Sequence, residues 1–148
     1  LGRKKIKKLG LQKTIELLNG DCETINFKND SFEAVTVAFG VRNFENLEKG
    51  LAEIKRVLKP GGKLVVLEFS KPRYAVVKFM YNLYMKFICS NVGRLFSKNR
   101  NAYQYLDESI QKFPEGKIFI NILDDLGYKS TYCKPLSLGI CSIYCGEK

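Results

Sequence analysis

Two uninterrupted apolar runs flank one amphipathic segment, and this arrangement constrains the fold more than any other feature of the chain. Ala34 to Phe39 reads AVTVAF and Lys63 to Phe69 reads KLVVLEF. Neither run alternates apolar with polar residues, as a strand with one wet face would, so both suit strands covered on both faces. Between them Leu47, Leu51, Ile54 and Leu58 recur at steps of four, three and four, an apolar stripe that predicts a helix from Leu47 to Leu58. Pro60-Gly61-Gly62 follows and is expected to close that helix with a tight turn, because Pro presets φ and Gly accepts positive φ. Strand, helix and strand fall within about 36 residues, a βαβ unit that demands a crossover connection and a parallel sheet.

The remaining elements fit an α/β layout. Gly2 to Leu9 reads as a basic helix ended by Gly10, and Thr14 to Leu18 as a short strand closed by Asn19-Gly20. Tyr74 to Ser90 is a strongly apolar helix whose polar positions (Lys78, Asn82, Lys86, Ser90) make one narrow stripe. Asp107 to Lys112 is a short helix, Glu115 to Leu126 another that stops at Gly127. Tyr128 to Lys134 and Leu138 to Tyr144 are two strands joined at Pro135-Leu136-Ser137. No repeat or low-complexity linker divides the 148 residues, so one domain with a real core is expected.

Composition narrows the chemistry. The chain has no His, which removes Ser-His-Asp triads, Cys-His pairs and imidazole metal sites from its own repertoire. Five cysteines (Cys22, Cys89, Cys133, Cys141, Cys145) include no CxxC pair. They read as reduced thiols of a cytosolic protein, with no zinc-type spacing and no metal expected. No run of 18 apolar residues is present to span a membrane, and LGRKKIKKLG lacks the apolar stretch of a signal peptide. The net charge of +10 is compatible with nucleic acid or with an anionic surface. Between Lys71 and Arg100 lie seven bases and no acid. That segment reads either as a lid with a solvated cationic rim or as an interfacial helix meeting an anionic membrane.

Three stretches then carry a resemblance. They are Gly20-Asp21-Cys22-Glu23 with Phe27 and Asp30-Ser31-Phe32, Ala38-Phe39-Gly40-Val41-Arg42-Asn43, and Arg56-Val57-Leu58-Lys59-Pro60-Gly61-Gly62 running into Leu67-Glu68-Phe69-Ser70-Lys71-Pro72. The RVLKPGG run resembles the helix-turn-strand of class I S-adenosylmethionine methyltransferases. AFGVRN and LEFSKP are more specific and resemble the ubiquinone/menaquinone biosynthesis C-methyltransferase family. Ala102 to Leu106, Glu108-Ser109-Ile110, Phe113-Pro114 and Leu138-Gly139-Ile140 match the same family in order, so the likeness covers the whole chain.

The resemblance implies a Rossmann-like α/β fold, with residues 71–112 as a helical, lipophilic insertion facing substrate or membrane. It also implies that residues 1–148 are an incomplete, C-terminal part of the domain. No Gly-rich loop of GxGxG type occurs in the sequence, and the first two strands of the fold, with their ribose-binding acid, have no counterpart. The isolated chain is therefore expected to bind S-adenosylmethionine poorly and to be inactive, and its uncovered strand edge is expected to make it self-associate.

The implied reaction is methyl transfer from S-adenosylmethionine to a ring carbon of a polyprenyl hydroquinone, demethylmenaquinol first and a benzoquinol of ubiquinone biosynthesis second. Another small-molecule methyl acceptor is a further alternative, and a basic membrane-surface or nucleic-acid-binding domain without enzymatic activity is the reading of a different class. The implied location is cytoplasmic, at the inner face of the cytoplasmic membrane. On the cofactor side the resemblance points to Asp21 and the Cys22 N–H at the adenine edge, with Ala38 and Phe39 at the strand end. A turn-forming Asp is the plainer reading of Asp21.

Arg42 follows a buried parallel strand, where open α/β sheets gather ligands, and is the catalytic candidate. Its cation would stabilise the phenolate that activates the ring carbon, since a neighbouring positive charge lowers a phenol pKa. A loop-ordering pair with an acid such as Glu45 is the alternative. Asn43 and Ser70 are expected near one crevice, to hydrogen-bond the quinol oxygens, with Tyr103 and Tyr105 covering the ring. Capping or packing would equally account for each of the four. Glu68 is read as pointing toward the sheet edge and is given no role.

Overall fold

The computed structural model describes residues 2–72, 79 and 100–148, and backbone alone for 100–104. The elements in order are α1 (Gly2–Lys8), β1 (Phe32–Ala38), α2 (Leu47–Val57), β2 (Leu58–Phe69), α3 (Arg100–Lys112), α4 (Lys117–Asp125), β3 (Lys129–Leu136) and β4 (Cys141–Glu147). They build a four-stranded sheet of order β1-β2-β4-β3. The β1–β2 pair is parallel, as the βαβ pattern requires, and β4 is antiparallel to both β2 and β3. The terminal hairpin expected from the sequence is therefore present, but its connection is displaced: Pro135 and Leu136 pair with Ser142 and Cys141 inside the ladder, the 3-10 turn Ser137–Gly139 joins the strands, and the second strand starts at Cys141 rather than Leu138.

Alternation along β2 sorts the sheet into two faces. Leu64, Val66 and Glu68 are fully buried, and Ser70 nearly so. In the ladder Val66 faces Tyr144 and Glu68 faces Ser142, and both partners are buried too. Helix α2 lays Leu51 and Ile54 on this face, and α4 adds Phe119 and Leu123. Phe119 packs against Tyr144 at 4.7 Å and against Phe113 at 5.2 Å between ring centroids. Each aliphatic or aromatic side chain fully removed from water here stabilises the fold by about 1.5–3 kcal/mol.

Helix α2 starts at Asn46, whose side chain accepts the Lys49 N–H at 3.0 Å, a standard cap for an otherwise unpaired donor. Arg56 near its end clamps the preceding loop. Its guanidinium donates to the carbonyls of Ile25 and Phe27, to Asn29 Oδ1 and to Glu53.

Four expectations need correction. The run AVTVAF is not a strand covered on both faces: no residue of β1 is buried, because β1 is the outermost strand of the described sheet. Thr14 to Leu18 does not form a strand: Thr14 sits in a turn and residues 15–18 have no ladder partner, while Ile15, Leu17 and Leu18 are exposed. A strand needs a neighbour for its backbone groups, and the described sheet ends at β1. Pro60-Gly61-Gly62 does not close α2, which ends at Val57. It lies inside β2 as a bulge, because Phe32 faces Leu58 while Ala34 already faces Lys63. Gly61 has φ +75°, and a Cβ on Gly62 would meet the carbonyl oxygens of Lys59 and Glu33 at 2.8 and 3.1 Å. Both glycines serve the bulge. The short helix at 107–112 begins earlier, at Arg100. The helix expected over Tyr74 to Ser90 lies outside the described residues.

Candidate functional site

The carboxyl end of β1 runs into a loop held by several contacts. Ala38 is the last strand residue, paired with Leu67, and Phe39 follows with φ +54°. A bulky residue in the left-handed region is an outlier that neighbouring contacts must hold. Here the Phe39 N–H donates to the Leu67 carbonyl at 2.8 Å, and its ring packs on Phe69 at 4.6 Å while staying 38% exposed. Val41–Asn43 then forms one 3-10 turn.

Arg42 holds that turn. Its Nη1 donates to Glu68 Oε1 at 2.6 Å and to the Phe39 carbonyl at 2.8 Å, its Nε donates to Ser109 Oγ at 3.2 Å, and its backbone N–H reaches Glu68 Oε2 at 3.3 Å. The guanidinium also lies over the Phe69 ring, 5.3 Å from the centroid. Arg42 does pair with an acid, but with Glu68 on the neighbouring strand rather than with Glu45. Glu68 is wholly buried beneath it and does not face the sheet edge. A carboxylate in an apolar strand is costly unless a cation and further donors satisfy it, and the Phe69 N–H adds one more at 2.9 Å. That rule made Glu68 findable from KLVVLEF, whereas Ser109, sixty-seven residues away in sequence, had no such signal.

The other candidates fall into separate groups. Asn43 Oδ1 accepts from the Tyr105 hydroxyl at 3.0 Å, so these two meet beside Arg42. Asp21 forms an Asx-type turn through the Glu23 N–H at 2.9 Å. Glu23 in turn accepts the Asn46 N–H at 2.6 Å and pairs with Lys49 at 3.6 Å. These contacts tie the Asp21–Thr24 turn to the start of α2, three residues after Asn43. Burial, then the Asp21 carboxylate, raise the Cys22 thiol pKa above its ordinary value. Ser70 does not join Asn43 in a described contact. Its hydroxyl donates to Ser142 Oγ at 2.6 Å and its N–H to the Ile140 carbonyl at 2.9 Å, and it lines a cavity with Ser142 and Tyr144. The Tyr103 side chain lies outside what the structure describes.

The sheet and this loop define a class I S-adenosylmethionine methyltransferase fold. A SAM-dependent methyltransferase from Aquifex aeolicus superposes over 98% of the chain and 60% of its own length with a TM-score of 0.64, at 18% identity. The CurJ carbon methyltransferase gives the same TM-score over 98% of the chain and 38% of its own, at 16% identity.

Sequence comparison is more specific. The model of the ubiE/COQ5 methyltransferase family matches residues 1–148, and the chain belongs to that family. It is 42% identical to the demethylmenaquinone methyltransferase of Bacteroides fragilis over 148 residues, all of this chain and 60% of that protein. The ubiquinone/menaquinone biosynthesis C-methyltransferase UbiE of Geotalea daltonii is 41% identical over all of this chain and 63% of its own length. The mitochondrial 2-methoxy-6-polyprenyl-1,4-benzoquinol methylase of Dictyostelium discoideum is 40% identical over 96% of this chain and 48% of its own. The chain thus spans about three fifths of the first relatives it matches.

Proposed function

We propose that the protein carrying this chain transfers a methyl group from S-adenosylmethionine to a ring carbon of a polyprenyl hydroquinone, with demethylmenaquinol as acceptor. The observation that carries this reading is the Phe39–Asn43 loop, pinned at the carboxyl end of a parallel strand by a buried Arg42–Glu68 pair, in a member of this family. Relatives named for demethylmenaquinone favour the naphthoquinol over the benzoquinol named for the Dictyostelium relative.

The residues present fit the adenine side of the cofactor. Asp21 is exposed, and a carboxylate that has spent one oxygen on its own turn keeps acceptor capacity for an exocyclic amine. Asp21 and the Cys22 N–H would hold the adenine edge, with Ala38 and Phe39 beside it. The cofactor supplies an electrophilic methyl on sulfonium. On the chain's side, Arg42 presents a fixed cation to an acceptor hydroxyl, so that the phenolate forms more readily and the adjoining carbon becomes nucleophilic. Guanidinium does not itself lose a proton, so water held at Arg42 takes the hydroxyl proton. Glu68 keeps the guanidinium in place and offsets part of its field. Asn43 and Tyr105 hold the quinol oxygens and flank the ring, and Tyr103 covers it.

Residues 1–148 are, in this reading, part of a single methyltransferase domain, with 71–112 as its substrate-facing insertion. The seven bases between Lys71 and Arg100 favour peripheral attachment to an anionic membrane at its cytoplasmic side, where polyprenyl quinones reside. Among the described residues no helix is long and apolar enough to cross a membrane.

Transfer of tritium from labelled S-adenosylmethionine to demethylmenaquinol by the gene product that carries this chain tests the proposal. Label in menaquinol supports it, and label that reaches only other acceptors overturns it. Arg42→Ala is expected to lower turnover on the order of 10²–10³, the scale for losing one fixed electrostatic stabiliser, with cofactor affinity retained. Near-normal turnover would reject the role given to Arg42.

A further inference from the structure

The Arg42 guanidinium has five N–H donors, and its surroundings use them unevenly. Nη1 donates to the Phe39 carbonyl at 2.8 Å and to Glu68 Oε1 at 2.6 Å. Those bonds meet at one nitrogen, so by themselves they hold a point and leave the guanidinium plane free to pivot about it. The bond from Nε to Ser109 Oγ, 3.2 Å long, supplies a second point. The Phe69 ring, 5.3 Å from the guanidinium carbon, supports the face but sets no direction within the plane. Nη2 donates to none of the described residues. With the side chain 10% exposed, its N–H groups are the edge left for a ligand.

Ser109 is built to orient this group. It lies in α3 and is 9% exposed, and its own proton goes to the Leu106 carbonyl at 2.8 Å. A hydroxyl has one proton and two lone pairs, so that bond fixes the proton and turns a lone pair toward Arg42. Bonding back to its own helix slightly destabilises that helix, and Ser is a poorer helix former than Ala. The helix itself therefore gains nothing from a hydroxyl here. Tyr105, four residues earlier, shares the same face of α3 and donates to Asn43 at 3.0 Å. One helix face thus grips two consecutive residues of the 3-10 turn, while buried Ile110 and Phe113 anchor the helix. Unlike the Glu68 carboxylate, the Ser109 hydroxyl is neutral, so it aims the cation without offsetting its field.

Resting on the role given to Arg42 above, we propose that Ser109 is a positioning residue for methyl transfer: it fixes the plane of the Arg42 guanidinium so that Nη2 meets the acceptor's hydroxyl. The cation then acts at a set angle on the charge that develops as the ring carbon is methylated.

The test uses the gene product that carries this chain, with labelled S-adenosylmethionine and demethylmenaquinol. Ser109→Ala is expected to lower kcat on the order of tenfold, a part of the loss for removing the stabiliser altogether. Both KM values should stay within about twofold, because the cation acts on the transition state rather than on ground-state binding. Ser109→Thr keeps a hydroxyl that can bond back to the helix and is expected to recover most of the parent kcat. A second readout needs no turnover. The Arg42 Nε–H, assigned in nitrogen-resolved NMR by its disappearance in Arg42→Lys, is expected to exchange with water several-fold faster in Ser109→Ala than in the parent, and at the parent's rate in Ser109→Thr. A kcat within about twofold of the parent in Ser109→Ala, a loss that appears in KM instead, no recovery in Ser109→Thr, or unchanged Nε–H exchange overturns the proposal. Loss of turnover in Arg42→Ala with none in Ser109→Ala would sink the proposal and leave the reading of Arg42 intact. If the parent moves no label to demethylmenaquinol, the quinol reading falls, and the exchange comparison alone decides whether Ser109 positions Arg42.

Discussion

Removing the Arg42 side chain tests whether the loop after β1 is held by charge. Glu68 is fully buried, and without Arg42's guanidinium its carboxylate keeps two backbone donors, the N–H groups of Phe69 at 2.9 Å and of residue 42 at 3.3 Å. Breaking a buried ion pair on one side typically costs about 3–5 kcal/mol, because the remaining charge stays desolvated. Set against a total domain stability of about 5–15 kcal/mol, this is a large share. With a urea slope of about 1–3 kcal/mol/M, Arg42→Ala should lower the unfolding midpoint by at least ~1 M.

Glu68→Gln keeps shape and hydrogen bonding and should cost less. Arg42→Met combined with Glu68→Leu removes the pair as a unit and should be milder than the sum of the single changes, with a coupling of at least ~1.5 kcal/mol. The chain has eight tyrosines and no tryptophan, so far-ultraviolet circular dichroism is the suitable readout. An Arg42→Ala midpoint within ~0.3 M of the parent, or strictly additive effects in the cycle, would refute the reasoning. The cycle also guards the catalytic test: activity of Arg42→Ala must be measured well below its own unfolding midpoint.

Burial raises the pKa of both Tyr128 and Tyr144 above that of an ordinary phenol. The stabilisation from keeping them neutral is therefore complete below the unfolded value near 10 and is lost as pH rises through their folded values. Thermal midpoints should be level through neutral pH and fall above about pH 10, and Tyr128→Phe should flatten part of that fall; a midpoint unchanged into strong alkali would contradict the assignment. The isolated 148-residue chain should show no saturable binding of S-adenosylmethionine at micromolar concentrations, since it has no GxGxG loop; a calorimetric titration giving low-micromolar affinity would overturn this. Light scattering of the same chain should show self-association that grows with added salt, because β1 ends the described sheet as an unpaired edge and a net charge of +10 opposes contact at low salt. A monodisperse monomer at both low and high salt would exclude it.

What could be read in advance follows from how local each determinant is. The β1–α2–β2 unit was legible because its apolar runs and stripe are internal to about 36 residues and need no distant partner to be recognised. Thr14 to Leu18 has strand-like residues, yet Ile15, Leu17 and Leu18 remain exposed because strand character requires a neighbour that composition does not supply. Pro60-Gly61-Gly62 announced a backbone irregularity correctly but not its place, since a turn and a bulge ask for the same residues. Arg42 stands out by its position after a strand, but its partner is not legible, because Glu45 is near in sequence while Glu68 is near in space. The Ser70–Ser142 contact joins positions seventy-two apart and has no sequence signature at all.

The core and the candidate sites come from one register. Positions 64, 66, 68 and 70 of the β2 segment share a face, since side chains alternate along a strand. The first two are Leu and Val, packed under α2 and α4. The third is the carboxylate that seats Arg42, and the fourth is the hydroxyl bonded to Ser142. Apolar residues thus fix the face at the middle of the sheet, and polar ones exploit it at the carboxyl end, where the parallel strands open. The bulge at residues 59–62 sits upstream of all four, so it sets the register of the whole series against β1. A single-residue slip there would turn Leu64 and Val66 outward together with Glu68 and Ser70. The hydrophobic cost of exposing the two aliphatic residues therefore guards the placement of the two polar ones. The placement of Glu68 and Ser70 at the end of this strand is held by packing in its middle.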